Sequence, residues 1–311
     1  MTQRGFWRNL QPTNQRVVTG GYGALNQVWY IAPQGGAPNL GATRQQTFST
    51  FTDLKPNLRS RDIIYIIGVL REQAVAPDDV YEVSIVGAAN TPRQATDGGV
   101  PTGGGATWMA PASGAVATTP LLEIVRQGWS IENMCFNPHT ASAAVRLTTT
   151  GGLDEAGQFY FGGNTIMGGG TTQIGVEDVG GSGFVVIEDN LFFGLGDTAL
   201  KGISTGNAVP LSWAIRNNIF KQNLNDIKMS LSYAQIRGNQ HFTAGSGSTN
   251  KVVSTIAVAG QGGFNQVVLN FFNNTTGEIQ VSNGYSGASS DLWSNYCKGT
   301  AALIVTSPPG A

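Results

Sequence analysis

Seven carboxylates fall in one stretch of the chain: Asp154, Glu155, Glu177, Asp178, Glu188, Asp189 and Asp197. Two carboxyl groups facing each other across a groove can split a glycosidic bond, one as acid and the other as base or nucleophile. Asp178, Glu188 and Asp189 are the least poor candidates. The vicinal pairs Glu177-Asp178 and Glu188-Asp189 count against a catalytic pair, because neighbours on a strand point to opposite faces. A lyase would need calcium-binding carboxylates beside a basic residue. Lys201 and Arg216 could serve as bases, but no spaced aspartate cluster accompanies them. His139 and His241 are too far apart to share a metal, and each reads as a solvent-facing or corner residue. The glycine runs at 168–170 and 180–183 lack the Lys-Ser/Thr that would complete a phosphate loop. No cofactor and no metal are expected.

These side chains are positioned by a repeat. The phrase apolar-x-x-Asn returns six times, as Phe161-Gly-Gly-Asn164, Ile187-Glu-Asp-Asn190, Ile215-Arg-Asn-Asn218, Ile236-Arg-Gly-Asn239, a looser Asn270-Phe-Phe-Asn273, and Leu292-Trp-Ser-Asn295. Successive asparagines lie 26, 28, 21, 34 and 22 residues apart. A period of that size marks a stacked repeat, and β-branched and aromatic residues mixed with glycine make the stacked element a strand. The expected fold is all-β, a right-handed parallel β-helix of roughly eight coils. The asparagines Asn164, Asn190, Asn218, Asn239, Asn273 and Asn295 are expected to form a structural ladder at a corner, where asparagine tolerates left-handed geometry and can bond its counterpart one coil away. Glu188, Arg216 and Arg237 fall at one position of the phrase and should face outward, so Glu188 should lie beside Arg216 on the next coil. The two arginines could instead hold an acidic sugar.

Outside the repeat the chain changes character. Residues 1–45 read as a basic arm and a first strand, 46–306 as the β-helix with a long Gly/Pro/Thr-rich loop at 91–118, and 307–311 as a tail. Phe48, Phe51 and Leu54, followed by Pro56, suggest a helical turn lying over the end of the stack, where unpaired backbone would otherwise be exposed. Residues 1–61 carry Arg4, Arg8, Arg16, Arg44, Lys55, Arg59 and Arg61 against Asp53 alone, while the whole chain has a net charge of −1. That balance excludes a nucleic-acid binder judged on the whole chain. The start, Met1 to Arg8, has no apolar core of a secretory leader, and no run is apolar enough to span a membrane. Cys135 and Cys297 should sit several coils apart as free thiols, which suits assembly in a host cytoplasm.

The phrases "IEDNLFFG", "IRNNIFKQN" and "IRGNQHF", with the opening "DIIYIIGVL", resemble the right-handed parallel β-helix of pectin-lyase-like proteins, a fold widespread among virion proteins of tailed bacteriophages. The resemblance covers about residues 46–306 and implies a homotrimer. Two roles compete within the group. The favoured expectation is a capsid cement or decoration protein without enzymatic activity, on the exterior of the virion with the major capsid protein as partner, attached through Arg4, Phe6, Trp7, Arg8, Arg16 and the loop. The alternative is a tailspike or polysaccharide depolymerase acting on host surface glycan. Neither role involves a membrane or nucleic acid.

Overall fold

Runs of a few β-branched and aromatic residues, each cut off by a left-handed corner, pair with their counterparts one repeat later rather than with their neighbours in sequence. The computed structural model describes residues 27–33, 47–88, 106–149, 156–169, 172–202, 210–242, 253–255, 263–272, 285–286, 292–297 and 303–305. Its strands stack into three parallel columns, forming a parallel β-helix.

The first column contains β1 (Val28–Ile31), β3 (Ile63–Ile66), β6 (Ser84–Gly87), β9 (Ser130–Glu132), β12 (Tyr160–Gly162), β15 (Val186–Glu188), β18 (Ala214–Arg216) and β21 (Gln235–Arg237). It continues through the opening residues of β24 (Gln266–Phe272) and β26 (Leu292–Cys297). The second column holds β4 (Val69–Arg71), β7 (Thr107–Met109), β10 (Cys135–Asn137), β13 (Thr165–Met167), β16 (Leu191–Phe193), β19 (Ile219–Lys221) and β22 (Gln240–Phe242), and ends in the later residues of β24 and β26. The third is a separate sheet of β5 (Ala74–Val75), β8 (Leu122–Ile124), β11 (Ala143–Thr148), β14 (Ile174–Val179), β17 (Thr198–Gly202), β20 (Asn225–Met229), β23 (Val253–Thr255) and β25 (Tyr285–Ser286). At one end β2 (Thr47–Phe48) pairs with β1, and at the other β27 (Leu303–Val305) runs antiparallel to β26. From β1 to β26 the first column makes nine steps of about 4.8 Å, a stack roughly 43 Å long.

The middle residue of each first-column strand points inward: Ile64, Ile85, Ile131, Phe161, Ile187, Ile215, Ile236 and Val267 are all fully buried. The second column contributes an aromatic row. Phe192 and Phe220 stack at 5.1 Å, Phe220 and His241 at 5.0 Å, and His241 and Phe272 at 4.6 Å. His241 is therefore a core residue rather than the solvent-facing or corner residue expected. Its Nδ1 lies 2.8 Å from Oδ2 of Asp226, which is itself fully buried.

The expected helical turn is α1 (Phe51–Leu54), followed by a 3-10 turn at Lys55–Asn57 that contains Pro56. The Thr50 side chain caps α1, and Glu72 accepts hydrogen bonds from the backbone N–H groups of Phe51 and Thr52. Phe51 and Leu54 are buried, with the Phe51 ring 5.6 Å from Trp108. Phe48 belongs to β2 instead of the helix.

The ladder exists, with two corrections. Each rung's Oδ1 accepts from the backbone N–H of the preceding rung, linking Asn164, Asn190, Asn218, Asn239, Asn270 and Asn295 across intervals of 26, 28, 21, 31 and 25 residues. The fifth rung is Asn270, and Asn273 lies outside the described residues. The left-handed corner is the residue before the rung: Gly163, Asp189, Asn217, Gly238 and Leu269 have φ of 66°, 58°, 56°, 67° and 57°. The rung itself turns inward, where its Nδ2 also donates to a first-column carbonyl of the previous coil, as Asn218 does to Ile187 at 2.9 Å.

Two segment boundaries also shift. The span 91–118 contains β7, whose Trp108 is fully buried, and β1 is paired into the stack through β3. The remainder of the arm, including Arg4, Phe6, Trp7, Arg8 and Arg16, lies outside the described residues.

Candidate active site on the first strand column

The third residue of each first-column strand faces outward, and parallel register aligns these residues in a row along the helix axis. Tyr30 lies beside Tyr65, Tyr65 beside Val86, and Val86 beside Glu132. Glu132 is followed by Gly162, Glu188, Arg216 and Arg237. Glu132 and Glu188 thus project from the same face two coils apart, with Cα atoms roughly 9.6 Å from each other.

The two carboxyls have different surroundings. Glu188 accepts a hydrogen bond from Arg216 Nε at 2.6 Å and another from the Tyr160 hydroxyl at 3.1 Å. The Glu188–Arg216 pair was expected on an exposed surface, but its side chains are only 18% and 15% exposed. Glu132 has no such support. Its Oε1 is buried with no hydrogen-bond partner among the described residues. Burial pushes its carboxyl up to about 7, and the neighbouring Glu188 charge adds to the effect. Tyr65 is raised as well, chiefly by burial, with smaller contributions from Tyr30 and Glu132.

Gly162 allows this arrangement. A Cβ there would come within 2.3 Å of the Tyr160 hydroxyl, so only glycine lets the Tyr160 side chain lie over this position and reach Glu188. The result is one carboxyl poised to hold a proton near neutral pH beside another engaged in an ion pair. Such a divergence is how a site assigns acid and base roles to two residues of one kind.

The other candidates are scattered. Asp178 points into the core of the third column, where Ser182 donates to it through both backbone N–H and hydroxyl; burial pushes it up to about 6 despite those bonds. Glu177 faces out on the same strand and pairs with Arg146 at 2.7 Å. Asp189 occupies the exposed corner after Glu188, and Asp197 pairs with Lys201 at 2.7 Å. Asp154 and Glu155 lie outside the described residues. Of Asp178, Glu188 and Asp189, only Glu188 belongs to the row. Its partner Glu132 was missed because it sits 56 residues earlier in the sequence. A signal did exist: Ile131-Glu-Asn-Met134 is the repeated phrase with methionine on the rung, and the Met134 N–H bonds to Asn164.

Among the described residues no group of three or more His, Cys, Asp or Glu is placed to hold a metal, and no helix is long and apolar enough to cross a membrane. Cys135 is a free buried thiol, pushed up to about 11 by burial. Trp213 is a core residue, donating its indole N–H to the Ser182 carbonyl at 2.8 Å.

No protein-family model matches the chain, and no curated protein does. Among solved structures it is similar to the Dettilon tailspike protein, at 12% identity and a TM-score of 0.31, over 95% of this chain and 74% of that one. It is also similar to a mutant of DFA-IIIase from Arthrobacter chlorophenolicus A6 in complex with DFA-III, at 13% identity and a TM-score of 0.34, over 80% of this chain and 77% of that one. Likeness at this level has no bearing on the chemistry of the row, and the fold rests on the strand register described above.

Proposed function

We propose that the protein is a glycan hydrolase of the tailspike or depolymerase kind, acting on host surface polysaccharide through Glu132 and Glu188. The observation that carries this reading is the pair itself: two carboxyls on one face, aligned across a glycine, one held near pH 7 by burial and the other paired with arginine. Protonated Glu132 gives its proton to the glycosidic oxygen as the bond to the anomeric carbon breaks. Glu188 acts on the opposite side, taking a proton from the attacking water or adding to the carbon directly. Tyr160 and Arg216 hold Glu188 in place.

The host-glycan assignment, virion location and homotrimer are part of the proposal and rest on the sequence resemblance. The cement reading, with the major capsid protein as partner, has no described residue behind it, since the arm and most of the loop lie outside them. Release of reducing ends from purified host surface polysaccharide tests the hydrolytic reading. Glu132→Gln and Glu188→Gln should each lower the rate about 10²-fold or more. The wild-type rate should fall above about pH 7 as Glu132 loses its proton. Full activity in both variants would remove the pair from the chemistry.

A further inference from the structure

The Tyr160 hydroxyl donates to Oε1 of Glu188 at 3.1 Å, while Oε2 of the same carboxylate accepts from Arg216 Nε at 2.6 Å. A nucleophile within hydrogen-bond reach of a base, with that base oriented by a third group, is the arrangement that activates a weak nucleophile, and a tyrosine phenol is one of the groups that can serve. Its place in the row supports the same role. A Cβ on Gly162 would lie 2.3 Å from the phenol oxygen, and Gly162 stands between Glu132 and Glu188. The hydroxyl therefore sits over the strand next to that of Glu132, one spacing of about 4.8 Å away, whereas Glu188 rises from a strand two spacings away. Retaining glycosidases hold acid and nucleophile about 5–5.5 Å apart. The Tyr160 ring packs against Val186 and Ala214, the next two residues along its own row, so its aim does not depend on the hydroxyl alone.

Resting on the hydrolytic reading of this face, we propose that Tyr160 is the nucleophile of the reaction and that Glu188 acts as its base, rather than on the sugar or on water. In the first step the Tyr160 oxygen adds to the anomeric carbon and its proton passes to Glu188, while the glycosidic bond breaks and the leaving oxygen takes the proton of Glu132. In the second step water attacks the same carbon and gives a proton to Glu132. The bond to Tyr160 breaks, and the phenol oxygen recovers its proton from Glu188. Two displacements at one carbon retain the anomeric configuration.

The test uses the full chain and a panel of purified bacterial surface polysaccharides, with the polymer that the wild type cleaves carried forward. Proton NMR of the first products, read before mutarotation, should show the anomeric configuration retained. Wild type quenched in acid during turnover and digested should carry an added sugar mass on Tyr160. Tyr160→Phe keeps the ring and its packing and loses only the hydroxyl, so it should fold as the wild type does, with kcat lowered about 10³-fold and KM nearly unchanged. A tyrosine that merely steadied Glu188 would yield no adduct of its own. An inverted product, a sugar mass on Glu188, or a Tyr160→Phe kcat within about threefold of wild type overturns the inference and leaves Glu132 and Glu188 as the hydrolytic pair. Release of no reducing ends by the wild type from any member of the panel overturns the hydrolytic reading itself, and this inference with it.

Discussion

His241 occupies the place in the aromatic row that Phe220 holds one coil earlier and Phe272 one coil later, and its ring stacks on both. The reason for a histidine there is the adjacent strand. On the third column Asp226 aligns with Ala199 and Gly175, small residues beside which Phe192 can pack; a Cβ at Gly175 would come within 2.8 Å of the Phe192 ring. Asp226 fills that space with a buried carboxyl that accepts from Asn223 Nδ2 at 3.0 Å and faces His241 Nδ1. Replacing either partner alone leaves a buried polar group with a broken contact, so His241→Phe and Asp226→Ala should each cost about 2–4 kcal/mol. The double substitution recreates the Phe and Ala combination of neighbouring coils and should recover most of that loss, a coupling that denaturant unfolding of the four proteins measures. Additive losses would show that the two residues act independently. Part of this was readable beforehand, since "IRGNQHF" aligned under "IRNNIFKQN" puts His241 beneath Phe220. The inward direction is not legible there, because a lone histidine suggests a wet position and the carboxylate that makes a dry one tolerable lies on a different column.

At the scale of the element, the asparagine rungs hold the corner between the first and second columns. Asn218 accepts from the backbone N–H and Nδ2 of Asn190, donates from Nδ2 to the Ile187 carbonyl and to Asn239 Oδ1, and is fully buried. Asn218→Leu matches the volume but strands the Asn190 N–H and the Ile187 carbonyl away from water. At about 1–3 kcal/mol for each group, the variant should lose roughly 3 kcal/mol or more, readable as a lowered denaturant midpoint. A midpoint within error of wild type would mean that backbone pairing alone holds the corner. The same geometry explains which rungs the sequence displayed. Glycine, asparagine or aspartate before the rung announces a left-handed corner at Gly163, Asp189, Asn217 and Gly238, and each of these belongs to a phrase the sequence displays. The fifth corner is Leu269, a residue that rarely takes φ of 57°, and β24 runs through it as a single strand with a register shift between Val268 and Phe271. The true phrase, Val267-Val-Leu-Asn270, therefore looked like uninterrupted strand, and the polar Asn273 drew the assignment instead.

For the whole molecule, the stack was legible because every coil repeats one pattern, whereas the candidate site was not, because it exists only between coils. Glu132 and Glu188 belong to separate repeats, and their relation depends on a register that only the paired strands define. Burying such a group also links the stability of the stack to pH. The Glu132 carboxyl is raised from an ordinary value of 4.5 to about 7, and Asp178 from 3.8 to about 6, both chiefly by burial. With folded values above unfolded ones, the native state binds more protons across that window. Below about pH 4 both states are protonated and neither group carries a penalty. As pH rises from about 4 the unfolded chain releases protons that the native state retains, so stability falls up to the folded values near 6 and 7 and then levels off, for Glu132 after a loss of up to about 3 kcal/mol. Glu132→Gln keeps the size of the side chain and cannot ionise, so it isolates this contribution. The wild type minus Glu132→Gln difference in melting temperature should be smallest in magnitude near pH 4 and should shift against the wild type by a few degrees near pH 8. A difference that stays constant across that range would mean that Glu132 ionises as freely in the folded chain as in the unfolded one, and would remove the acid that the hydrolytic reading requires.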